Sequence, residues 1–358
     1  MTVMTKDRLA RLGWDDAWEA ELKCLDDPEL LPGRVGVEHR GAYVLLDAEG
    51  DRWAVPTGRL RLEAREGLGD LPAVGDWVAY RQPPQSDRAV VQAVLPRRTK
   101  FSRKTAWHET KEQVLATNVD VVFLTQALPD DLNLRRLERY LATGWESGAQ
   151  PVVLLTKADL ADDVEAAVAE VEAITFGVPV HAVSARTGEG LDVIRSYLEG
   201  NRTAVLLGSS GVGKSTIVNA LLGDGEIETQ ELRSDGRGRH TTTRRELHLL
   251  PGGGIVLDTP GIRELQLWDA EQGLEEAFED VEELAAACRF GDCAHDREPG
   301  CAVREALESG ALPAERWESY RKLQRELEAL AARQDALLRQ QRRRVYKLRT
   351  KEMRRRGF

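Results

Sequence analysis

The chain has 358 residues, more than one ordinary core holds, so two or three domains are expected. With 42% hydrophobic and 31% charged residues it has the balance of a soluble globular protein, and no apolar run reaches the roughly 18 residues of a membrane-spanning helix. The net charge of −10 argues against a protein coated in nucleic acid, yet residues 338–358 hold ten Lys or Arg against one acid, Glu352. The first residues lack an apolar stretch behind a basic leader, so no secretory signal is expected and the cytoplasm is the expected compartment.

In chain order, residues 1–32 read as a helical extension, with Leu9, Leu12, Trp14, Trp18 and Leu22 at the spacing of a short amphipathic helix. Residues 33–99 change to short alternating runs at 42–46, 52–55, 76–80 and 89–94. Turn signals at Glu49-Gly50, Thr57-Gly58, Gly75-Asp76 and Pro83-Pro84 separate them, which predicts a five-stranded β-barrel of the OB-fold type. Residues 100–117 read as a linker, polar and basic at first and without a clear period. Residues 118–268 alternate apolar strand runs (119–125, 151–155, 178–183, 203–207, 254–257) with helical patterns such as Leu134, Leu137, Tyr140 and Leu141. That alternation predicts an α/β domain with an open parallel sheet and helices on both faces. Residues 269–343 read as a helical domain that ends in a long charged helix from about 313, and 344–358 as a basic tail.

Gly208, Ser209, Ser210, Gly211, Val212, Gly213, Lys214 and Ser215 form a complete G-x-x-x-x-G-K-S element between a strand and a helix that opens at Thr216. Glycines let backbone N–H groups turn inward around phosphate oxygens, the helix N-terminus adds its positive end, Lys214 reaches the β and γ phosphates, and Ser215 offers a hydroxyl to Mg²⁺. Asp258, Thr259, Pro260 and Gly261 follow the apolar run at 254–257. There a carboxylate at a strand end holds magnesium through water, and the Gly261 N–H faces the γ-phosphate. Between them, residues 236–243 are glycine-rich, basic and rich in hydroxyls, as a switch loop requires. Thr242 is the threonine expected to complete the magnesium shell when GTP is bound.

Thr156, Lys157 and Asp159 form a T-K-x-D segment behind the strand run at 151–155, and Ser184, Ala185 and Arg186 follow the run at 178–183. A carboxylate at Asp159 accepts from guanine N1–H and the exocyclic amine, donors that adenine does not offer in that arrangement. The Lys157 stem packs over the base, and the turn at Ser184 and Ala185 presents a backbone N–H to guanine O6. These segments precede the phosphate loop, whereas ordinary GTPases place them last. A doubly wound sheet gathers its ligand loops at the carboxyl ends of its strands whatever the chain order, so the same site still assembles.

Of the four cysteines, Cys288, Cys293 and Cys301 fall within fourteen residues, with His295 between them. Three thiolates and one imidazole make a full tetrahedral set for one structural zinc ion, with no position left open for catalysis. Cys24 reads as a lone thiol.

On Asn118, Val119 and Asp120, residues 208–215, Arg239 to Thr243, Asp258 to Glu264 and the cysteine cluster, the chain resembles the ribosome small-subunit-dependent GTPase A family of circularly permuted bacterial GTPases over nearly its whole length. The resemblance implies an N-terminal OB-fold, a permuted GTPase core and a zinc-bearing C-terminal domain. It also implies GTP hydrolysis stimulated by the small ribosomal subunit, in late maturation of that subunit, with binding to its rRNA. Thr156 departs from the asparagine of most members, so weaker purine contacts and weaker bracing of the phosphate loop are expected. Ile262 follows Gly261 where Ras-type enzymes place a water-orienting glutamine, so hydrolysis by the isolated chain is expected to be slow. His240 is the switch-loop residue able to orient or deprotonate water, and the resemblance points to it as well. The basic tail, with Tyr346 interleaved, is expected to contact rRNA phosphates. A monomer off the ribosome is expected, without membrane contact. A P-loop ATPase or small-molecule kinase, and a non-enzymatic RNA-binding factor that uses nucleotide as a conformational ligand, are the rival readings.

Overall fold

The computed structural model describes residues 3–39, 41–104, 112–129, 131–175, 177–223, 246–258, 277–291, 293–314 and 316–325. The expectations for His240, Thr242 and Gly261, for the basic tail and for most of the long C-terminal helix fall outside these residues. The chain divides into two compact units, one of residues 1–102 and 114–265, the other of 103–113 and 266–358.

In the first unit the expected single helix at the start is two, α1 (Val3–Arg11) and α2 (Asp16–Lys23), because Gly13 turns the chain at φ 85° and the Asp15 carboxylate caps α2. The barrel comprises β1 (Leu31–His39), β2 (Ala42–Leu46), β3 (Asp51–Pro56), β4 (Trp77–Arg81) and β5 (Ala89–Val94), in the order β1-β2-β3-β5-β4, and a β1–β4 pairing closes it. Leu9, Leu12 and Trp18 pack onto Trp77, Ala79 and Leu95, so the helical extension plugs an apolar patch of the barrel. The turn expected at Thr57-Gly58 is instead the start of α3 (Gly58–Glu66): Thr57 Oγ1 accepts from Leu60 N, and Gly67 ends the helix in the left-handed conformation. The residues expected to be linker carry two strands, β6 (Lys100–Lys104) and β7 (Glu112–Thr117), which pair with each other. Phe101, Leu115 and Ala116 are buried there, too few apolar residues to show a period in the sequence.

The α/β core follows with β8 (Val121–Ala127), α4 (Leu134–Glu146), β9 (Gln150–Thr156), α5 (Val164–Glu172), β10 (Val180–Val183), α6 (Leu191–Tyr197), β11 (Thr203–Leu207), α7 (Lys214–Leu222), β12 (Glu246–Leu249) and β13 (Ile255–Asp258). Every residue of β8 and all but the first of β9 are buried, as strands covered on both faces must be. The sheet is mixed, not purely parallel. The strands β10-β9-β8-β11-β13 are parallel, but β12 runs antiparallel to β13 and meets β1 at Glu246 and Val37, so core and barrel share one eleven-stranded sheet.

Arg34 fastens the two further. Its guanidinium is buried and donates to Leu12 O, to Gly75 O at 3.3 Å, to Asn118 O at 3.1 Å and to Thr203 Oγ1 at 2.8 Å. Asn118 Nδ2 reaches Gly75 O at 3.1 Å, and Asp120 Oδ2 accepts from Thr203 N at 2.7 Å, so Asn118 and Asp120 hold the joint from the core side.

In the second unit, α8 (Glu279–Ala286) and α9 (Ala302–Ser309) flank the cysteine cluster, and residues 316–325 are helical. Arg316 donates to both carboxylate oxygens of Asp280 and to Ala277 O and lies over Phe278, which ties the last helix to the first. Among the described residues no helix is long and apolar enough to cross a membrane.

Candidate nucleotide site and metal centre

The parallel strands end on one edge, and the predicted ligand segments lie at those ends: Thr156 to Asp159 at β9, Ser184 at β10, Gly208 at β11 and Asp258 at β13. The phosphate loop occupies 208–213, and α7 begins at Lys214, earlier than the expected Thr216. Gly213 caps α7 at φ 98° and has no side chain to satisfy the first-turn N–H groups, which leaves them for an anion. Lys214 Nζ donates to Gly208 O at 2.7 Å and Ser209 O at 2.6 Å. Ser215 lies in the first turn of α7 beside it, and Val212 is buried under the loop.

Gly208 is required by close approach: a Cβ there would lie 2.2 Å from Thr125 Oγ1 and 2.4 Å from Thr125 O. The Thr125 hydroxyl donates to Leu207 O at 2.6 Å. Thr156 reaches the same loop from the next strand. Its hydroxyl donates to Val212 O, with Gln126 O farther off at 3.3 Å, so the single proton belongs to the loop carbonyl. Thr156 thus contacts the loop through a hydroxyl that is buried at the strand end. Thr125 was missed in the sequence, where the one signal was a hydroxyl inside an apolar strand.

Lys157 adopts the left-handed conformation at φ 57° and turns the chain so that Asp159 enters a short 3-10 turn, Ala158–Leu160. Asp159 Oδ1 accepts from Ser184 Oγ at 2.7 Å, which joins the segment behind β9 to the one behind β10. Ser184 Oγ accepts in turn from Thr187 N at 3.2 Å, and Arg186 Nη1 lies 4.0 Å from Asp159 Oδ2. The carboxylate is thus oriented by a fully buried hydroxyl, while Ala185 packs against the core below. At the other end of the edge, Asp258 closes β13 in register with Glu246.

The second cluster is in the C-terminal unit. One ligand atom from each of Cys288, Cys293, His295 and Cys301 lies within 4.8 Å of the others. The Cys288 and Cys301 sulfurs are 3.9 Å apart, and His295 Nδ1 is 3.5 Å from each. Sulfurs bound at about 2.3 Å to a tetrahedral ion stand about 3.8 Å from each other and about 3.5 Å from a bound nitrogen, so the set fits such an ion. Local structure explains the convergence. His295 takes φ 60°, Cys301 is the N-cap of α9 with Arg304 N donating to its sulfur at 3.4 Å, and the Trp317 ring meets the His295 imidazole edge-on at 5.4 Å. Burial opposes ionisation of Cys288, but N–H groups of Val303 and Ala302 together with the Cys301 and Cys293 side chains hold the thiol below its ordinary pKa. Cys293 is pushed up to about 11, by burial first.

Ligand loops that leave one sheet edge in an order rotated along the chain are the mark of a circularly permuted P-loop GTPase. The RsgA GTPase family profile matches residues 94–268. The Small ribosomal subunit biogenesis GTPase RsgA of Opitutus terrae is 50% identical over 340 residues, covering 92% of this chain and 92% of that protein. That of Streptomyces avermitilis is 48% identical over 347 residues, covering 95% and 91%. The chain belongs to the RsgA family of GTPases. Among solved structures, YjeQ from Thermotoga maritima superposes with a TM-score of 0.63 at 30% identity over 83% of this chain and 98% of that one. YloQ, described as a circularly permuted GTPase, shares the fold at 23% identity with a TM-score of 0.60, covering 84% and 96%.

Proposed function

We propose that this chain hydrolyses GTP to GDP and phosphate in late maturation of the small ribosomal subunit, binding its rRNA and being stimulated by it. The observation that carries the reading is the shared edge: a phosphate loop behind β11 and, two and three strands away, a carboxylate at Asp159 steered by Ser184. The relatives that match nearly the whole chain are named for biogenesis of this subunit. In this reading the loop from Gly208 to Ser215 and Thr216 hold the phosphates. Lys157, Asp159, Ser184 and Ala185 select guanine. Ser215, Thr242 and Asp258 hold the magnesium that enters with GTP and neutralises phosphate charge. Gly261 faces the γ-phosphate and His240 positions water.

Zinc is the ion we assign to Cys288, Cys293, His295 and Cys301, in a stabilising role, since all four tetrahedral positions are filled by protein. The division into extension (1–32), barrel (33–99), linker (100–117), GTPase core (118–268), zinc domain (269–343) and basic tail (344–358) belongs to the same reading, as does a monomer that works in the cytoplasm.

Phosphate release from GTP, measured with and without small ribosomal subunits, tests the proposal. We expect slow turnover alone, an increase of about 10³-fold or more on the subunit, and loss of most of that increase in His240→Ala. Unchanged turnover on subunits would favour the non-enzymatic reading, and equal competition by ATP would favour the ATPase.

A further inference from the structure

Strand β1 lends one edge first to the barrel and then to the core. From Leu31 to Arg34 that edge pairs with β4 and closes the barrel, and at Val37 it pairs with Glu246 of β12. The other edge stays on β2 from Arg34 to His39, with a bulge between Val35 and Val37. The two attachments to the core differ in kind. At Arg34 a buried guanidinium donates to Asn118 O and Thr203 Oγ1, and beside it Gly75 comes so near that a Cβ would stand 2.1 Å from Thr117 O. At Val37 one register pair joins the strands, with Val37 half-buried and Glu246 exposed. Glu246 is also the register partner of Asp258 on β13, and it comes three residues after Thr243, where the expected switch loop ends.

The geometry points to the Val37–Glu246 pair as a coupling joint, through which the barrel senses the nucleotide and a small subunit held by the barrel acts on the switch loop and Asp258. Coupling requires an element with two arrangements that both sites bias. A strand end held by one exposed pair is such an element, because it frays at little cost while the rest of the sheet stays closed. Arg34 is the fixed point, and Val37 lies about 10 Å farther along β1, beyond a bulge that interrupts the ladder between them. With GTP, a switch threonine engaged at magnesium holds the chain that enters β12, and Glu246 stays on β1. With GDP that hold is released and the pair frays. Linkage makes the effect mutual: whatever holds β1 against β12 from the barrel side favours the GTP-bound arrangement. The choice of base takes no part, because Asp159 and Ser184 follow β9 and β10, on the other side of β11 from β12.

The proposal rests on the reading of this chain as a GTPase stimulated by the small ribosomal subunit. The first test is hydrogen exchange of the full chain in magnesium with GDP or with a non-hydrolysable GTP analogue, followed in peptides covering 35–39 and 246–250. We expect these amides to exchange about tenfold more slowly with the analogue, and those of β4 and β8 to exchange alike with both. The second test loads the joint with charge. Val37→Glu sets a carboxylate directly opposite Glu246, which opposes pairing, and Val37→Lys sets an ammonium there, which favours it. Both variants give up the valine opposite Val44, so the difference between them reports on Glu246. GTP turnover is measured with and without small ribosomal subunits. We expect both variants alone to stay within about threefold of the parent; on subunits, Val37→Glu should lose about tenfold of the stimulation and Val37→Lys should keep it. Equal exchange with GDP and the analogue would overturn the proposal, as would equal stimulation of the two variants, which would assign Val37 to packing. Should either variant not fold, exchange in the parent decides by itself. A parent that binds no guanine nucleotide, or that subunits do not stimulate, removes the underlying reading and the joint with it, whereas intact binding and stimulation with exchange blind to the nucleotide refutes the joint alone.

Discussion

A guanidinium withdrawn from water survives only where oxygens replace its hydration, and Arg34 has found four of them in three parts of the chain. Burial pushes its pKa down to about 10, still far enough above neutrality to keep the side chain cationic, with Asp120 and Asp76 supporting the charge from a distance. Methionine at this position fills similar volume and leaves three carbonyls and a hydroxyl without a donor. At about 1 kcal/mol each, Arg34→Met should destabilise the first unit by about 3–4 kcal/mol. Urea unfolding followed by tryptophan emission measures it, Trp77 lying 5.6 Å from the guanidinium. A loss below about 1 kcal/mol would mean that water or another side chain replaces the network. Nothing in the sequence around Arg34 separates it from the other arginines of the barrel. Arg52, Arg81, Arg97 and Arg98 all meet carboxylates, and which arginine is buried against carbonyls depends on partners as distant as Thr203.

At the scale of elements, the cluster of Cys288, Cys293, His295 and Cys301 is where we expect a metal to hold short segments with little core of their own. Between α8 and α9 the described residues form turns and no regular element, and their buried apolar contribution is small. We expect removal of the ion with a strong chelator, or Cys301→Ser, to abolish bound zinc and to remove the hydrogen-exchange protection of 288–301, with an apparent loss of the order of 10 kcal/mol. Guanine-nucleotide binding serves as the control for a folded core, and full protection of these residues without metal would sink the assignment. The spacing of the cysteines made this element legible in the sequence, because ligand identity and short separations suffice. The helix α3 was not legible: its cap Thr57 and terminator Gly67 read equally well as turn residues, and Leu60 is the one buried apolar residue that commits it to a helix. The strands β6 and β7 were hidden for a similar reason, having few apolar residues and needing each other to pair.

For the whole molecule, the charge of −10 and the ten cations of 338–358 oppose one another, and the body and the tail should behave differently toward a polyanion. A chain ending at residue 337 should keep its slow hydrolysis of GTP but bind small ribosomal subunits more weakly and with less dependence on salt. If about half of the ten cations meet phosphates, the slope of log affinity against log salt should become shallower by about 4. Binding measured from about 50 to 200 mM salt gives that slope, and one equal to the parent's would place the RNA contacts elsewhere.

The amino-acid sequence alone determined the phosphate-loop motif, the T-K-x-D and Ser-Ala-Arg segments, the Cys/His cluster and the alternation of strand and helix, because each is a short-range pattern carried by residue type and spacing. The merging of barrel and core into one sheet, the joint at Arg34, the buried hydroxyl that steers Asp159, and the two threonines beneath the phosphate loop came only with the tertiary structure. Each depends on atoms tens of residues apart meeting within about 3 Å, a distance set by the packing of whole strands and carried by no local sequence signal.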